Sequence, residues 1–314
     1  MREPHVSLQK RAGTGVAALA LLFSGVIVMT TPGVASANPE PQGYTCSGGT
    51  PNSPTPIAGG DYGSVTVTGV CAVHGEVDIH GGLTIAENAG LLATDPTKPD
   101  PNNPQGPPIC THIVHLDVSG GIQVLENGLL FLGDSLRQGG GTGCPTSNDH
   151  VDGGIRGWNA NSVVVHGTKI DGGFSLDDGG GGNGYSVFPF GLFCADIVFH
   201  GVDIGTPPFS DVEDSSIDGG VSISDLHTCW MGFINNHVSG DVAVNHNVLG
   251  DPDAIEIGLN TIHGGLACWG NQRDPKSHIL PDDGSGGVPA NTFDGSPPNP
   301  NTVTGQEKGQ CAGL

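Results

Sequence analysis

A seven-residue unit recurs along this chain and limits its fold more than any bulk property does. The copies read IHGGLTI from Ile79, VSGGIQV from Val118, IDGGFSL from Ile170, IDGGVSI from Ile217, VSGDVAV from Val238 and IHGGLAC from Ile262. Each is an apolar residue, a polar one, Gly, usually a second Gly, then an apolar-polar-apolar triplet. The triplet has the period of two of a half-buried strand. The Gly pair marks a corner that needs positive φ or close backbone approach. A second pattern lies upstream: Val163, Val165, Gly167 and Ile170 have offsets 0, 2, 4 and 7, repeated by Met231, Phe233, Asn235 and Val238 and by Ile255, Ile257, Leu259 and Ile262. One strand, a corner and a second strand therefore recur together.

The last three starts are 21 and 24 residues apart, and the earlier intervals of 39, 52 and 47 are near twice that. Such spacing is the signature of a solenoid with one coil per repeat. No helical segment is visible, so the expected fold is all-β: a right-handed parallel β-helix of roughly eight to ten coils at ~20–25 residues each. Stacked coils bury together the apolar face that one coil cannot bury alone. An antiparallel β-sandwich is the alternative, but it does not predict Gly-Gly strings at coil spacing. Asn235, Asn236, Asn247 and Asn260 fall at or near corners, where Asn tolerates the left-handed region and could form ladders between coils.

Composition agrees. The 54 Gly and 24 Pro among 314 residues suit corners and loops and disfavour helix interiors. No Gly-X-Y period exists, which excludes collagen. Lys and Arg number 10 against 32 Asp and Glu, a net charge of −22, so the basic footprint of a nucleic-acid binder is missing. Long breaks are expected at Asp95–Pro108, Arg137–Gly154, Asp177–Gly184 and Arg273–Asn301, all rich in Gly, Pro, Asp or Asn.

The N-terminus reads as an export signal. Arg2, Lys10 and Arg11 precede an apolar run from Val16 to Met29, and Ala35-Ser36-Ala37 forms a small-residue cleavage site, with the cut expected after Ala37. The run is short for a membrane span. Cleavage would leave 7 of the 10 basic and 31 of the 32 acidic residues, a net charge of −24. The expected organisation is a signal peptide (1–37), a lead-in (38–62), the β-solenoid (63–271) and a C-terminal loop and cap (272–314). All eight Cys lie in the mature part, an even count that in an exported chain reads as disulfides. Of the 105 possible connectivities, neighbour pairing is the expectation: Cys46–Cys71, Cys110–Cys144, Cys194–Cys229 and Cys268–Cys311.

Residues 233–314 resemble a group of uncharacterised secreted actinobacterial proteins with Val-rich strand repeats. The matching strings are Asn301-Thr302-Val303-Thr304-Gly305, Gly309-Gln310-Cys311 and Leu266-Ala267-Cys268-Trp269-Gly270-Asn271, with Gly63-Ser64-Val65-Thr66-Val67 and Cys71 resembling the first coil. The resemblance implies export and a β-solenoid, and no particular activity.

Candidate chemistry is sparse. Polysaccharide lyases and hydrolases of β-helix fold need carboxylates together with basic residues for uronate groups. The mature chain offers only Lys98, Arg137, Arg156, Lys169, Arg273, Lys276 and Lys308, and its net charge repels polyanions. Asp177 and Asp178 could mimic a hydrolase pair, and acidic residues near Asp177 and Asp211 are the carboxylates such an enzyme would use. His precedes Gly at His74, His80, His166, His200 and His263, and stacked corners would line some of them up for zinc or copper. The preferred metal reading is Ca²⁺ at Asp177, Asp178, Asp211, Glu213 and Asp214, hard oxygens in Gly-rich surroundings. Trp230 and Trp269 adjoin Cys229 and Cys268 and are expected to pack on disulfides. The sequence thus points to a secreted structural or interaction protein meeting cell-wall polysaccharide or other envelope components. A β-helix polysaccharide lyase or hydrolase and a Ca²⁺-dependent carbohydrate-binding module are the alternatives. No nucleic-acid partner and no membrane span after processing are expected.

Overall fold

In a computed structural model the residues described are 41–94, 97–98, 109–110, 114–134, 147–181, 194, 197–204, 207–250, 255–273 and 301–314. They belong to one folded unit, Glu40–Leu314. The expected signal peptide (1–37), Cys144, and from the expected breaks residues 95–96, 99–108, 137–146, 182–184 and 274–300 lie outside them.

The chain winds as a parallel β-helix with three faces. The first face is a ten-stranded parallel sheet among the described residues. Its rungs are Tyr44–Cys46, Val65–Val67, Leu83–Ile85, Ile122–Val124, Ile155–Ala160, Phe174–Gly179, Val221–Ser224, Val242–Asn245, Leu266–Trp269 and Glu307–Gly309. The second face stacks Gly90–Ala93, Leu129–Leu132, Ser162–His166, Phe209–Glu213, Trp230–Ile234 and Ile255–Gly258. The third stacks His115–Val118, His150–Val151, Lys169–Ile170, Ser216–Ile217, His237–Val238, Thr261–Ile262 and Thr302–Val303. The long strand Val70–Ile79 joins the last two faces: its start pairs with Gly90–Ala93 and its end with His115–Val118. The sheets reach past both ends of the 63–271 span, since Tyr44–Cys46 and Thr55–Tyr62 pair in the first coils and Thr302–Val303 and Glu307–Gly309 in the last.

The repeat predicts the register. Ile79, Val118, Ile170, Ile217, Val238 and Ile262 stand in one inward column, which also takes in Val151 and Val303. Val165, Val212, Phe233 and Ile257 form another. All of these except the half-buried Val303 at the end of the helix are essentially inaccessible and belong to one continuous core. Slipping a strand by one residue would turn its apolar set outward, and fully burying each Val, Ile or Leu contributes roughly 1.5–3 kcal/mol.

Two expectations need correction. The stretch Arg137–Gly154 is not wholly a break: His150–Val151 is a rung, and Asp152-Gly153-Gly154 is another copy of the corner. The interval of 52 residues is therefore two coils. The intervals of 39 and 47 are single coils with insertions, because Leu83 pairs directly with Ile122 and Phe174 with Val221. Similarly, Asp177 continues a first-face strand instead of opening a loop.

The Gly pair divides its labour. The first Gly forms a column, Gly81, Gly120, Gly153, Gly172, Gly219, Gly240, Gly264 and Gly305, in which an added Cβ would stand within 2.8 Å of backbone atoms of the adjoining coil. The second position is laxer, holding Asp241 and Gln306 in later coils; only at Gly121 and Gly154 is φ positive (83° and 82°). The corner between second and third faces uses a left-handed residue in each of four successive coils: Gly167, Asp214, Asn235 and Leu259, at φ 57°, 50°, 54° and 62°.

Asparagines satisfy the backbone at these bends. Asn236 Nδ2 donates to Asn260 Oδ1 (3.1 Å) and Asn260 Nδ2 to Asn301 Oδ1 (2.9 Å), and each oxygen also accepts the backbone N–H of the preceding rung. Asn247, Asn271 and Gln310 make a second ladder. Such pairing matters because unpaired buried polar groups cost ~1–3 kcal/mol each.

Three of the expected disulfides are formed, Cys46–Cys71, Cys194–Cys229 and Cys268–Cys311. They indicate an oxidising setting such as the cell exterior. Trp269 is not packed away as expected. Side chains alternate along a strand, so next to inward Cys268 the Trp269 ring is turned out and is 53% exposed. Trp230 rests on Phe209, ring centroids 5.8 Å apart. No helix among the described residues is long and apolar enough to cross a membrane.

Candidate functional site

Three locations carry chemistry. The first is a buried cluster on the outer side of the second face. Ser210 and Val212 point into the core, so Asp211 and Glu213 point out. His166 is registered with Glu213, and Val164 with Asp211, on the neighbouring coil. His166 Nε2 lies 2.9 Å from Asp211 Oδ2. One ligand atom from each of His166, Asp211 and Glu213 falls within 4.8 Å of the others. All three are buried, at 2%, 4% and 8% exposure. On the following rung Gly232 pairs with Asp211, and a Cβ there would collide with Asp211 Oδ1. That oxygen is buried and takes no hydrogen bond from an N–H or hydroxyl donor.

The electrostatics follow from burial and crowding. Burial, then the Asp211 charge, push the Glu213 carboxyl up to about 8, and it holds its proton at neutral pH. Burial opposes charge on the His166 imidazole. The hydrogen bond to Asp211 and the charges of Asp211, Glu213 and Asp134 outweigh it and raise the imidazole above its ordinary value.

The second location is an exposed stripe on the third face. Asp61, Asp78, Asp117, His150 and Lys169 occupy one outward column. Beside it run His80, Ser119, Asp152 and Asp171, each following an inward apolar residue of the corner unit. A groove of about 230 Å³ runs between Asp78, His80, Asp117, Ser119, His150 and Asp152. His150 Nε2 is 2.8 Å from Asp171 Oδ2 and 3.2 Å from Asp152 Oδ1, and Lys169 Nζ is 2.7 Å from Asp171 Oδ1. The Lys169 hydrogen bond, then that of His150, hold the Asp171 carboxyl below its ordinary value.

The third is an apolar pocket of about 310 Å³ outside the second face. The insertion in the 47-residue coil returns there as a hairpin, Val198–Phe199 with Val202–Asp203. Ile197 and Phe199 join Val70 and Leu129 in a small second cluster, and His200 Nε2 donates to Asn88 O at 2.7 Å.

The five carboxylates expected to bind Ca²⁺ are thus placed differently. Asp211 and Glu213 come together, but with an imidazole. Asp214 takes the left-handed corner position and accepts a hydrogen bond from Asn235 Nδ2 on the next coil. Asp178 is likewise a left-handed corner residue (φ 60°), its Oδ1 accepting Gly179 N–H at 2.7 Å. Asp177 is exposed and accepts from Ser224 Oγ at 3.2 Å. Nor do the five His-Gly histidines form one ladder. His80 and His263 share a corner column in separate coils, His166 is on the second face and His200 in the hairpin.

The signals for the buried cluster were present but masked. Ser210, Val212, Asp214 and Ile217 repeat the offsets 0, 2, 4 and 7, with Ser in the first apolar place. That alignment puts Asp211 and Glu213 on one face and His166 beside them. No protein-family model, curated protein or solved structure matches the chain.

Proposed function

We propose that this chain is an exported, non-catalytic interaction module that binds a neutral or cationic polysaccharide of the cell envelope along its third face. The observation behind this reading is the open groove between Asp78, His80, Asp117, Ser119, His150 and Asp152. Carboxylates, imidazoles and a hydroxyl suit the donors and acceptors of sugar hydroxyls. They stand on rungs spaced ~4.8 Å apart, so little ordering entropy opposes binding. The acidic charge disfavours uronate chains.

Export with cleavage after Ala37 belongs to the same reading, supported by the N-terminal pattern and the disulfides. So does kinship with the secreted actinobacterial group, supported by the terminal strings. The test is sedimentation with purified cell walls and a panel of soluble glycans, using the wild type and the Asp117→Ala/His150→Ala double variant. Retention of the wild type and its loss in the variant are expected. Equal retention of both, or of neither, would overturn the assignment, and release of reducing ends or unsaturated uronates would make the chain an enzyme.

A further inference from the structure

The buried cluster is separate from the third-face groove and calls for its own account. Three carboxylates, Asp134, Asp211 and Glu213, surround the His166 imidazole closely enough to act on its charge, and Asp214 acts likewise on Glu213. Asp211 is 4% exposed, its Oδ1 takes no hydrogen bond from an N–H or hydroxyl donor, and its carboxyl lies against that of Glu213. The space beside that oxygen exists because residue 232 is Gly. Two buried carboxyls side by side with an imidazole are costly without a positive partner, and a cation is the partner that all three can face at once. The exposed trio His150, Asp152 and Asp171 differs, since the Lys169 ammonium already lies against Asp171.

We infer that His166, Asp211 and Glu213 form a binding site for a divalent transition cation of the zinc class. An imidazole nitrogen with two carboxylates is a zinc-type donor set with three protein ligands, the fourth place going to water. Ca²⁺ takes oxygen ligands alone, so the imidazole selects against it. Bonds of ~2.0–2.1 Å in tetrahedral geometry separate two ligand atoms by roughly 3.3 Å. The 2.9 Å between His166 Nε2 and Asp211 Oδ2 therefore needs to open only slightly. The ion would tie the coil carrying His166 to the coil carrying Asp211 and Glu213, clamping the second face on the strand that follows the long insertion.

The test is calorimetric titration of the chelator-treated, metal-free chain with ZnCl₂ and, separately, CaCl₂, on the wild type, Asp211→Asn, His166→Gln and the exposed control His150→Ala. Far-UV circular dichroism checks the fold of each. Stoichiometric Zn²⁺ binding that survives His150→Ala and is lost in Asp211→Asn and His166→Gln, with Ca²⁺ much weaker, is expected. X-ray absorption of the zinc-loaded wild type should show a nitrogen and oxygen shell near ~2.0–2.1 Å without sulfur, which keeps the test decisive if a variant does not fold. Absence of Zn²⁺ binding by the wild type, binding unchanged in Asp211→Asn, or loss in His150→Ala alone would each overturn the site. Glycan binding through the groove can fail without affecting any of these outcomes.

Discussion

Replacing Asn260 with Ala tests whether the asparagine ladder carries stability or merely decorates the corner. Asn260 is 1% exposed. Its Oδ1 accepts from the Asn236 backbone N–H (2.9 Å) and Asn236 Nδ2 (3.1 Å), and its Nδ2 donates to Phe233 O (2.7 Å) and Asn301 Oδ1 (2.9 Å). Truncation leaves the Asn236 N–H, one Asn236 amide hydrogen and the Phe233 carbonyl without these partners. Asn301 Oδ1 keeps the Asn260 N–H at 3.1 Å. Three orphaned groups at ~1–3 kcal/mol each, partly relieved by water, put the loss at roughly 3–5 kcal/mol. Asn301, at the half-buried end of the ladder, provides the comparison, since solvent can replace its bonds; Asn301→Ala should cost about 1–2 kcal/mol. Asn260→Asp should be as damaging as Ala, because it sets an oxygen against the Phe233 and Asn301 oxygens. Guanidinium unfolding followed by Trp fluorescence measures all three with disulfides intact. A loss below about 1 kcal/mol for Asn260→Ala, or equal losses at 260 and 301, would refute the reasoning.

Other expectations follow from single positions. Glu213 has a folded pKa of about 8 against an ordinary 4.5, so the folded state holds more protons between these values and metal-free stability falls as pH rises through that window. His166, raised above 6.5, acts with the same sign. At about 1.4 kcal/mol per unit the Glu213 contribution is on the order of 5 kcal/mol; Glu213→Gln should flatten the melting-temperature profile from pH 5 to 9, and an unchanged slope would contradict the assignment. Gly219→Ala would put a Cβ 2.8 Å from the Gly172 backbone, whereas at Gly220 the nearest atom is 3.3 Å away. Melting should therefore show a loss of about 1–3 kcal/mol at 219 and little at 220. Leu259 sits in the left-handed region at φ 62°, so Leu259→Asn should stabilise the protein by up to roughly 1 kcal/mol in the same assay.

Much of the architecture was legible along the chain because solenoid contacts are made between neighbouring repeats. The column Ile79, Val118, Ile170, Ile217, Val238, Ile262 is both a list of sequence matches and a stack of paired residues. The site was less legible. Ser210 replaces an apolar residue and hides the copy that aligns Asp211 and Glu213, and Val151 was overlooked because Gly-rich sequence before it reads as loop. Asp178 and Asp214 resemble metal ligands in sequence, while in space they are the left-handed residues of two corners.

The amino-acid sequence by itself determined the all-β class and the inward columns, since both depend on local alternation and on matches between repeats, while the coil count in the insertions and the choice among disulfide pairings needed the structure. Tertiary structure alone decided which polar residues meet. His166 and Asp211 are 45 residues apart yet 2.9 Å away from each other, because an insertion lengthens one coil without changing its register. Burial was settled at the same level. Alternation says that Asp211 and Glu213 point out of the helix, but only the tertiary structure removes them from water, sets the two carboxyls together beside His166 and raises that of Glu213 toward 8.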